Sequence, residues 1–172
     1  MRFYRDILGL EVSHAVTAKG WGPDDHPDFV HFFFDAGAGS NIAFFYYVGT
    51  EPRPELTGPR GYLGVARHTA WAVRSEQELD TWKAHLRDQG VTVSESIEHE
   101  TIRSIYFRDP NGYPLEITVQ TRPLTSIDRK DAEMTVDAMC ETFGDHDDDA
   151  RQRTIEEMWI VKGRMVRDLM AD

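Results

Sequence analysis

The sequence contains a single cysteine, Cys140, among its 172 residues. An internal disulfide is therefore impossible, and a reducing compartment is the natural setting for the chain. Basic residues are also scarce, since 19 lysines and arginines stand against 30 aspartates and glutamates and the net charge is -11. Because nucleic-acid binding depends on positive charge near phosphates, this balance argues against a nucleic-acid partner.

Long apolar segments are missing as well. No stretch approaches the roughly 20 apolar residues that a membrane-spanning helix needs, and none has the pattern of a signal peptide. We therefore expect a cytoplasmic protein without a membrane partner. A chain of 172 residues is long enough to bury one sizeable core.

The segment from Ser104 to Ile117 predicts two strands joined by a tight turn. In the turn, Asp109-Pro110-Asn111-Gly112, the proline presets φ and the glycine accepts the positive φ that closes a hairpin. The outgoing strand carries one carboxylate, Glu116, between two apolar residues. If buried, this carboxylate needs a cation, a metal or a proton. The alternative is an exposed glutamate on a half-solvated sheet.

Residues 65–73 predict a second strand of interest. Alternation places His68 on the same face as Ala70 and Ala72, and these small neighbours leave space in front of the imidazole. We interpret His68 either as a metal ligand or as a hydrogen-bonded core histidine.

A helix follows that strand. Ser75 and Glu78 have the spacing of a capping box, and Gly90 suits the position just after a helix end. Strands are then predicted for residues 91–97 and 102–108, so residues 65 to about 119 form a strand, a helix and three strands. The buried stripe of the helix is expected at Leu79, Trp82 and Leu86.

These residues carry a family resemblance. A histidine that opens the first strand, a capped helix ending in Gly-Val, and Ile-Tyr-Phe-Arg-Asp-Pro-Asn-Gly ahead of a glutamate resemble a βαβββ module of the vicinal oxygen chelate superfamily. That superfamily includes glyoxalases, type I extradiol dioxygenases, fosfomycin-resistance proteins and bleomycin-binding proteins. The resemblance implies an α+β fold in which paired βαβββ modules form a cupped mixed sheet around a metal, followed here by C-terminal helices.

The resemblance also implies a division of the chain. We expect a first module at residues 1–49, a Pro- and Gly-rich linker at 50–63, a second module at 64–120 and a helical extension at 121–172. The first module lacks its opening strand. When Gly9 is aligned with Gly90, the counterpart of His68 falls upstream of Met1. We therefore expect an incomplete N-terminus and a third metal ligand upstream of it.

The extension predicts two amphipathic helices. Ser126 or Asp128 is expected to cap the first and Gly144 to end it, and the acidic run 145–149 precedes the second. The expected apolar stripes are Ala132, Val136, Met139, Cys140 and Phe143 in the first helix, and Ile155, Met158, Trp159, Val166, Leu169 and Met170 in the second. Such helices must cover either their own sheet or a second subunit, and we expect a homodimer.

For the site, the resemblance implies His68 and Glu116 as metal ligands, completed by the upstream histidine. Two histidines and a carboxylate are typical of non-haem Fe(II), and Mn(II) is the alternative metal. Glyoxalase I sites add a carboxylate from the last strand of the first module, where this chain has Phe44 and Phe45. This departure favours a site with three protein ligands.

Residues around Tyr106 are similar to the extradiol dioxygenase signature. The resemblance implies that Tyr106 hydrogen-bonds catecholic oxygens and that His99 helps to orient the substrate. The alternatives are an aromatic ring packed under the turn and an exposed loop histidine. The predicted function is ring cleavage of a small aromatic, catechol-like substrate by dioxygen. Another metal enzyme of this fold (a glyoxalase-like lyase or isomerase, or a fosfomycin-type transferase or hydrolase) and a metal-free, bleomycin-resistance-type binding protein remain open.

Aromatic side chains are candidates for the substrate pocket, with core packing as the alternative. The usual acid-base histidine of the dioxygenases is missing before His68, and His31 is a possible substitute or an interior histidine. The pocket candidates are Phe32, Phe34, Phe44, Tyr46 and Trp71.

Overall fold

The computed structural model describes residues 2–20, 27–50, 68–143 and 153–171. The chain forms two compact units, Met1–Thr121 and Arg122–Asp172. Residues 51–63 of the predicted linker, Gly144 and the acidic run 145–149 lie outside the described residues. The strands are β1 Val12–Ala18, β2 Phe29–Gly37, β3 Ser40–Tyr47, β4 Thr69–Val73, β5 Ile97–Glu98, β6 Ile102–Arg108 and β7 Pro114–Gln120, and the helices are α1 Glu76–Asp88, α2 Ser126–Phe143 and α3 Ile155–Ala171.

The later half of the first unit contains a four-stranded mixed sheet in the order β4-β7-β6-β5. β4 runs parallel to β7, whereas β7 and β6 are antiparallel. Helix α1 contributes Leu79 and Leu86, both fully buried, as its sequence pattern predicted. Trp82 is partly buried against the same core.

The ends of α1 follow the prediction in part. Ser75 is the N-cap, and its hydroxyl accepts a hydrogen bond from the amide of Glu78 at 3.2 Å. In a capping box the amide of Ser75 would also donate to the Glu78 carboxylate. This part of the prediction is wrong, because the carboxylate accepts from the amide of Arg74 at 2.9 Å instead. Gly90 has φ +78°, the left-handed conformation that suits glycine after a helix.

The turn between β6 and β7 is a hairpin, as predicted. One carboxylate oxygen of Asp109 accepts from the amides of Asn111 at 2.9 Å and Tyr113 at 2.8 Å, and Gly112 has φ +82°. This turn fixes the register in which Arg108 lies opposite Pro114.

The strand predicted for residues 91–97 is wrong for most of its length. Val93 forms an isolated bridge with Phe107, and a regular strand begins only at Ile97. Between them, the hydroxyl of Ser94 accepts from the amide of Tyr106 at 3.0 Å. Because a side chain takes the place of a backbone carbonyl there, the ladder is interrupted.

The first half of this unit contains a helical turn, Phe3–Ile7, and an antiparallel sheet in the order β1-β2-β3. The helical turn packs Tyr4 against Phe34 and Phe44, with ring centroids 5.6 and 4.6 Å apart. Strand β1 begins only at Val12, because the amide of Leu10 closes the preceding turn on the carbonyl of Tyr4.

One apolar core joins these parts of the first unit, and its members come from the helical turn, α1 and both sheets. This arrangement confirms the predicted α+β fold. The buried members are Phe3, Tyr4, Leu8, Phe34, Leu79, Leu86, Ile105, Phe107, Leu115, Ile117 and Val119.

The second unit contains α2 and α3. The predicted cap of α2 is wrong, because Thr125 fills that role. Its hydroxyl accepts from the amide of Asp128 at 3.4 Å, while the Asp128 carboxylate accepts from the amide of Thr125 at 2.7 Å. This reciprocal pair is a capping box that begins one residue before Ser126, and Asp128 takes part in it as the third helical residue and not as the cap. The bonds from Arg122 and Thr125 hold the pKa of Asp128 well below its usual range.

The apolar stripe predicted for α2 is also wrong. Val136 and Met139 are 53% and 46% exposed, whereas Ala138 and Thr142 are buried. Small side chains on this other face allow α2 and α3 to approach closely. In α3 the buried side chain is Met158, while Trp159 remains 59% exposed.

Candidate metal centre

Glu116 occupies the centre of the mixed sheet. Its strand, β7, lies between β4 and β6, and the residue is only 4% exposed. Alternation directs its neighbours Leu115 and Ile117 into the core and Glu116 to the other face. A buried carboxylate without partners would destabilise the fold by several kcal/mol, so its contacts identify the site.

Both carboxylate oxygens of Glu116 have partners. Its Oε2 lies 2.8 Å from Nε2 of His68, and its Oε1 accepts a hydrogen bond from the Tyr106 hydroxyl at 3.2 Å. Tyr106 lies directly opposite Glu116 across the β6–β7 pair, and His68 immediately precedes β4. The structure therefore brings three of the predicted site residues together on one face of the sheet.

The fourth predicted residue, His99, extends this set. Its Nε2 is 2.9 Å from the Tyr106 hydroxyl. Since that hydroxyl donates its proton to Glu116, its oxygen accepts from the N–H of His99. The backbone of His99 is held by its amide, which donates to the carbonyl of Ile102 at 2.8 Å. His68, Glu116, Tyr106 and His99 thus form one continuous chain of hydrogen bonds.

The electrostatics of this hydrogen-bonded group keep the Tyr106 hydroxyl protonated. Burial, followed by the negative charge of Glu116 and the bond to it, raises the pKa of Tyr106 above its usual range, although a hydrogen bond from Ser104 acts in the opposite sense. The phenol is therefore a hydrogen-bond donor at neutral pH rather than a base.

A cleft of about 640 Å³ opens beside these side chains. His68 and Tyr106 reach it, and one of its walls is the irregular segment from Gly90 to Ser94. A volume of this size suits a small organic ligand. Its apolar side chains are Phe3, Ile7, Val91, Val93, Phe107, Pro110 and Pro114.

An imidazole nitrogen and a carboxylate oxygen on one face suit a divalent first-row metal. The donor types therefore fit the predicted metal, and two donors are the number that we expected within this sequence. Across the described ranges, no group of three or more His, Cys, Asp and Glu side chains is placed to hold a metal ion. The two candidate ligands are His68 and Glu116.

His31, the possible acid-base substitute, lies in the first sheet. Its ring stacks on Phe45 at 3.8 Å and contacts Phe33 at 4.2 Å, and it is not among the residues that line the cleft beside Tyr106. Of the aromatic pocket candidates, Phe34 is fully buried in the core, and Phe32, Phe44 and Trp71 pack against it. Core packing describes Phe34, whereas Phe32, Phe44 and the 62% exposed Tyr46 line a second cavity of about 320 Å³, and Trp71 lines another of about 200 Å³.

Two features of the site escaped the sequence analysis. The hydroxyl of Tyr4 donates to the buried Asp109 at 2.9 Å, a contact between residues too distant in sequence for any local pattern. Arg108 lines the cleft together with Tyr106. Strand alternation is the signal that could have found it, because residues 106 and 108 share a face.

Taken together, the fold and the site define a small α+β protein with a mixed sheet, a buried carboxylate and an open cleft for a small ligand. A sequence profile of the Glyoxalase/Bleomycin resistance protein/Dioxygenase superfamily matches residues 1–117. The chain belongs to this superfamily, as the motif resemblance predicted.

The chain is similar to MhqA, a candidate ring-cleaving dioxygenase of Bacillus subtilis (strain 168), with 33% identity over 66 residues. That match covers 38% of this chain and 21% of MhqA, so the chain spans a small part of its relative's length.

Two solved structures are similar in fold. A candidate dioxygenase from Bacillus subtilis subsp. subtilis str. 168 is 25% identical with a TM-score of 0.51, covering 69% of this chain and 35% of the other. The protein SMU.1112c is 23% identical with a TM-score of 0.51, and the match covers 68% of this chain and 85% of SMU.1112c.

Within the residues that the structure describes, no helix is both long and apolar enough to cross a membrane.

Proposed function

We propose that the chain is a metal-dependent, extradiol-type dioxygenase that cleaves the ring of a catechol-like substrate. The observation that carries the proposal is the bonding of Glu116 to both His68 and Tyr106 at the edge of the cleft. The names of MhqA and of the similar Bacillus subtilis structure support the same reaction class.

His68 and Glu116 are the residues that would hold the metal, for which we propose Fe(II), with Mn(II) as the alternative. Bound there, the metal would supply the Lewis acidity that lowers the pKa of the catechol hydroxyls and the electron transfer that dioxygen needs. The carboxylate is buried, so its charge attracts a cation more strongly than an exposed carboxylate would.

Tyr106 is placed to bind the substrate's oxygens. Its hydroxyl donates a hydrogen bond to Glu116, and rotation of the O–H bond would direct that hydrogen bond to a catechol oxygen in the cleft. His99 orients the phenol by donating to its oxygen. The apolar wall formed by Phe3, Val91 and Phe107 contacts the ring and excludes water.

The reaction adds both atoms of one dioxygen molecule to one catechol. The ring bond between a hydroxylated carbon and its unhydroxylated neighbour breaks, which leaves a carboxylic acid at one end of the product and a carbonyl group at the other. Such open-chain products are yellow, so the reaction can be followed by absorbance together with oxygen uptake.

The test uses the full chain loaded anaerobically with Fe(II) and then mixed with dioxygen and a panel of catechols. We expect oxygen uptake and a yellow product in equal amounts. Metal analysis of Glu116→Gln and His68→Ala should show that each variant binds Fe(II) more weakly. The loss in affinity should exceed the roughly 10- to 100-fold that is typical for residues that only contact metal ligands. The matched control is Glu76→Gln, because Glu76 is exposed on α1 and pairs with Arg103.

Bound metal without oxygen uptake across the panel would contradict the dioxygenase and favour another metal enzyme of the superfamily. A second candidate function, metal-free binding of a small aromatic molecule, is favoured by one observation, the lack of a three-ligand group among the described residues. Full-length protein that binds neither Fe(II) nor Mn(II) but quenches its tryptophan fluorescence on titration with catechol would support this second function.

A further inference from the structure

We propose that Arg108 binds a carboxylate carried by the aromatic substrate, so that the substrates of this cleft are anionic catechols. The inference rests on the proposed function for the identity of the ring, and it adds the charge class of the substrate. Arg108 is the only arginine or lysine among the described residues that line the cleft.

Strand geometry sets the spacing between Tyr106 and Arg108. Tyr106 and Arg108 are alternate residues of β6, so both project to the face that carries Glu116, and their Cα atoms lie about 7 Å apart along the strand. Across the strand pair, Glu116 lies opposite Tyr106 and Pro114 opposite Arg108. This separation resembles the length of an aromatic ring with one substituent, so a ring whose hydroxyls meet Tyr106 would direct a carboxylate at its far end to Arg108.

The guanidinium is held in position and retains unused donors. One of its nitrogens donates to the carbonyl of Gly112 at 2.6 Å, which anchors the side chain over the hairpin turn. Within the part of the chain that the structure describes, Arg108 makes no ion pair. Arg103, on the same strand, differs because it pairs with Glu76, Asp80 and Glu98. A fixed guanidinium with free N–H groups is well suited to a carboxylate.

Nearby acidic groups do not compete for Arg108. Asp109 also lines the cleft, but its oxygens accept from the hydroxyl of Tyr4 and from the amides of Asn111 and Tyr113. Glu116 is bonded to His68 and Tyr106. Because the net charge of the chain is -11, an anionic ligand would otherwise be repelled, and a cation in the cleft offsets this repulsion locally.

The test compares catechol with 3,4-dihydroxybenzoate, which differ by one carboxylate. In the Fe(II)-loaded wild-type chain we expect the carboxylated substrate to have the lower KM. Arg108→Met, which keeps an unbranched side chain, should raise that KM on the order of 10- to 100-fold, the usual contribution of a charge-assisted hydrogen bond. The kcat for both substrates and the KM for catechol should stay within about twofold, and Arg108→Lys should restore part of the preference.

Arg103→Met is the matched control and should leave the ratio of the two KM values unchanged. Binding of the same two compounds is also measured without turnover, by quenching of tryptophan fluorescence. Equal affinity for catechol and 3,4-dihydroxybenzoate in the wild type, or a preference that survives Arg108→Met, would overturn the role of Arg108 even if rings are cleaved. Arg108-dependent binding of the carboxylate without ring cleavage would support that role while the proposed dioxygenase fails.

Discussion

The two sheets of the first unit share a succession of a helical segment and antiparallel strands but differ in burial. β7 is buried along most of its length, whereas β1 is exposed along nearly all of its length. The cross-strand pairs differ in the same way: Tyr106 lies opposite Glu116 in the second sheet, and His31 lies opposite Phe45 in the first. A buried strand can hold a carboxylate whose hydrogen bonds are strong, while the first sheet carries stacked rings.

The difference indicates where binding chemistry can arise in this fold. Glu116 is dehydrated, so its attraction to a cation is screened less than at the surface. At the corresponding place in the first sheet, Phe45 is 46% exposed and stacks on His31, and it offers no charge. We therefore predict that the binding chemistry is confined to the second sheet, and the substitutions that follow test this division.

The largest difference should appear in stability. Leu115→Ala, at a position 1% exposed in β7, should lower the free energy of unfolding by about 2–5 kcal/mol through the cavity that it leaves. Val16→Ala, at a position 43% exposed in β1, should cost less than about 1 kcal/mol. Urea titration followed by circular dichroism measures both. Equal losses would show that the first sheet contributes as much to the core as the second.

The second largest loss of stability should follow from removing the hydrogen bond between Tyr4 and Asp109, which links the two halves of the first unit. Tyr4 packs on the first sheet through Phe34 and donates to Asp109 in the turn of the second. Tyr4→Phe leaves a buried carboxylate oxygen without this donor, which should cost about 1–3 kcal/mol. The same urea titration measures the loss, and Tyr46→Phe, at an exposed position, is the matched control.

Tyr4 also predicts a dependence on pH. Burial, then the charge of Asp109 and the bond to it, raise the pKa of Tyr4 far above its usual range. A group whose pKa is raised by folding contributes stability below its unfolded pKa and loses it as the pH rises. The wild type should therefore lose stability above about pH 10, where unfolded tyrosine ionises, and Tyr4→Phe should lose less. Identical alkaline slopes would contradict this account.

Alanine substitutions in the two hairpin turns should cost similar amounts of stability. Gly112 joins β6 to β7 with φ +82°, and Gly37 adjoins the β2–β3 turn with φ +89°. A Cβ at either place would meet no atom within 4 Å, so each alanine substitution should cost only the backbone strain, about 1–2 kcal/mol. Thermal unfolding measures both. A cost seen at Gly112 alone would indicate that the first hairpin unfolds independently of the rest.

The smallest predicted difference concerns the histidines. His99→Gln removes the N–H that orients Tyr106 and should lower kcat for catechol several-fold with little change in KM, a loss below the 1.4 kcal/mol that corresponds to tenfold. His31→Gln, in the first sheet, should leave kcat unchanged. Steady-state kinetics on the Fe(II)-loaded chain decides between them, and a larger effect at His31 would place chemistry in the sheet that we consider inactive.

Local sequence signals predicted the parts of the fold that depend on neighbouring residues. The hairpin at Asp109 to Gly112, the cap at Ser75 and the end of α1 at Gly90 each follow from turn or helix-end chemistry. The contacts among His68, Glu116, Tyr106 and His99 occur where the motif resemblance put these residues. Their metal and catalytic roles remain predictions.

Other features could not be read from local patterns. The buried side chains of α2 are small, and composition alone did not show that Ala138 and Thr142, rather than Val136 and Met139, would be buried. The interruption after Val93 depends on one hydroxyl taking the place of a backbone carbonyl. The contact between Tyr4 and Asp109 depends on how the two halves pack, which no short window of sequence records.

The two sides of the cleft are held by different numbers of backbone bonds, and this difference affects how the ligand specificity of such a protein can change. The side that carries Glu116 belongs to a regular strand pair with the register fixed at every residue. The opposite wall, Gly90 to Ser94, is joined to β6 through the Val93 bridge and the bonds between Ser94 and Tyr106. Substitutions or an inserted residue in that wall can reshape the opening for a new ligand while the acidic side keeps its geometry.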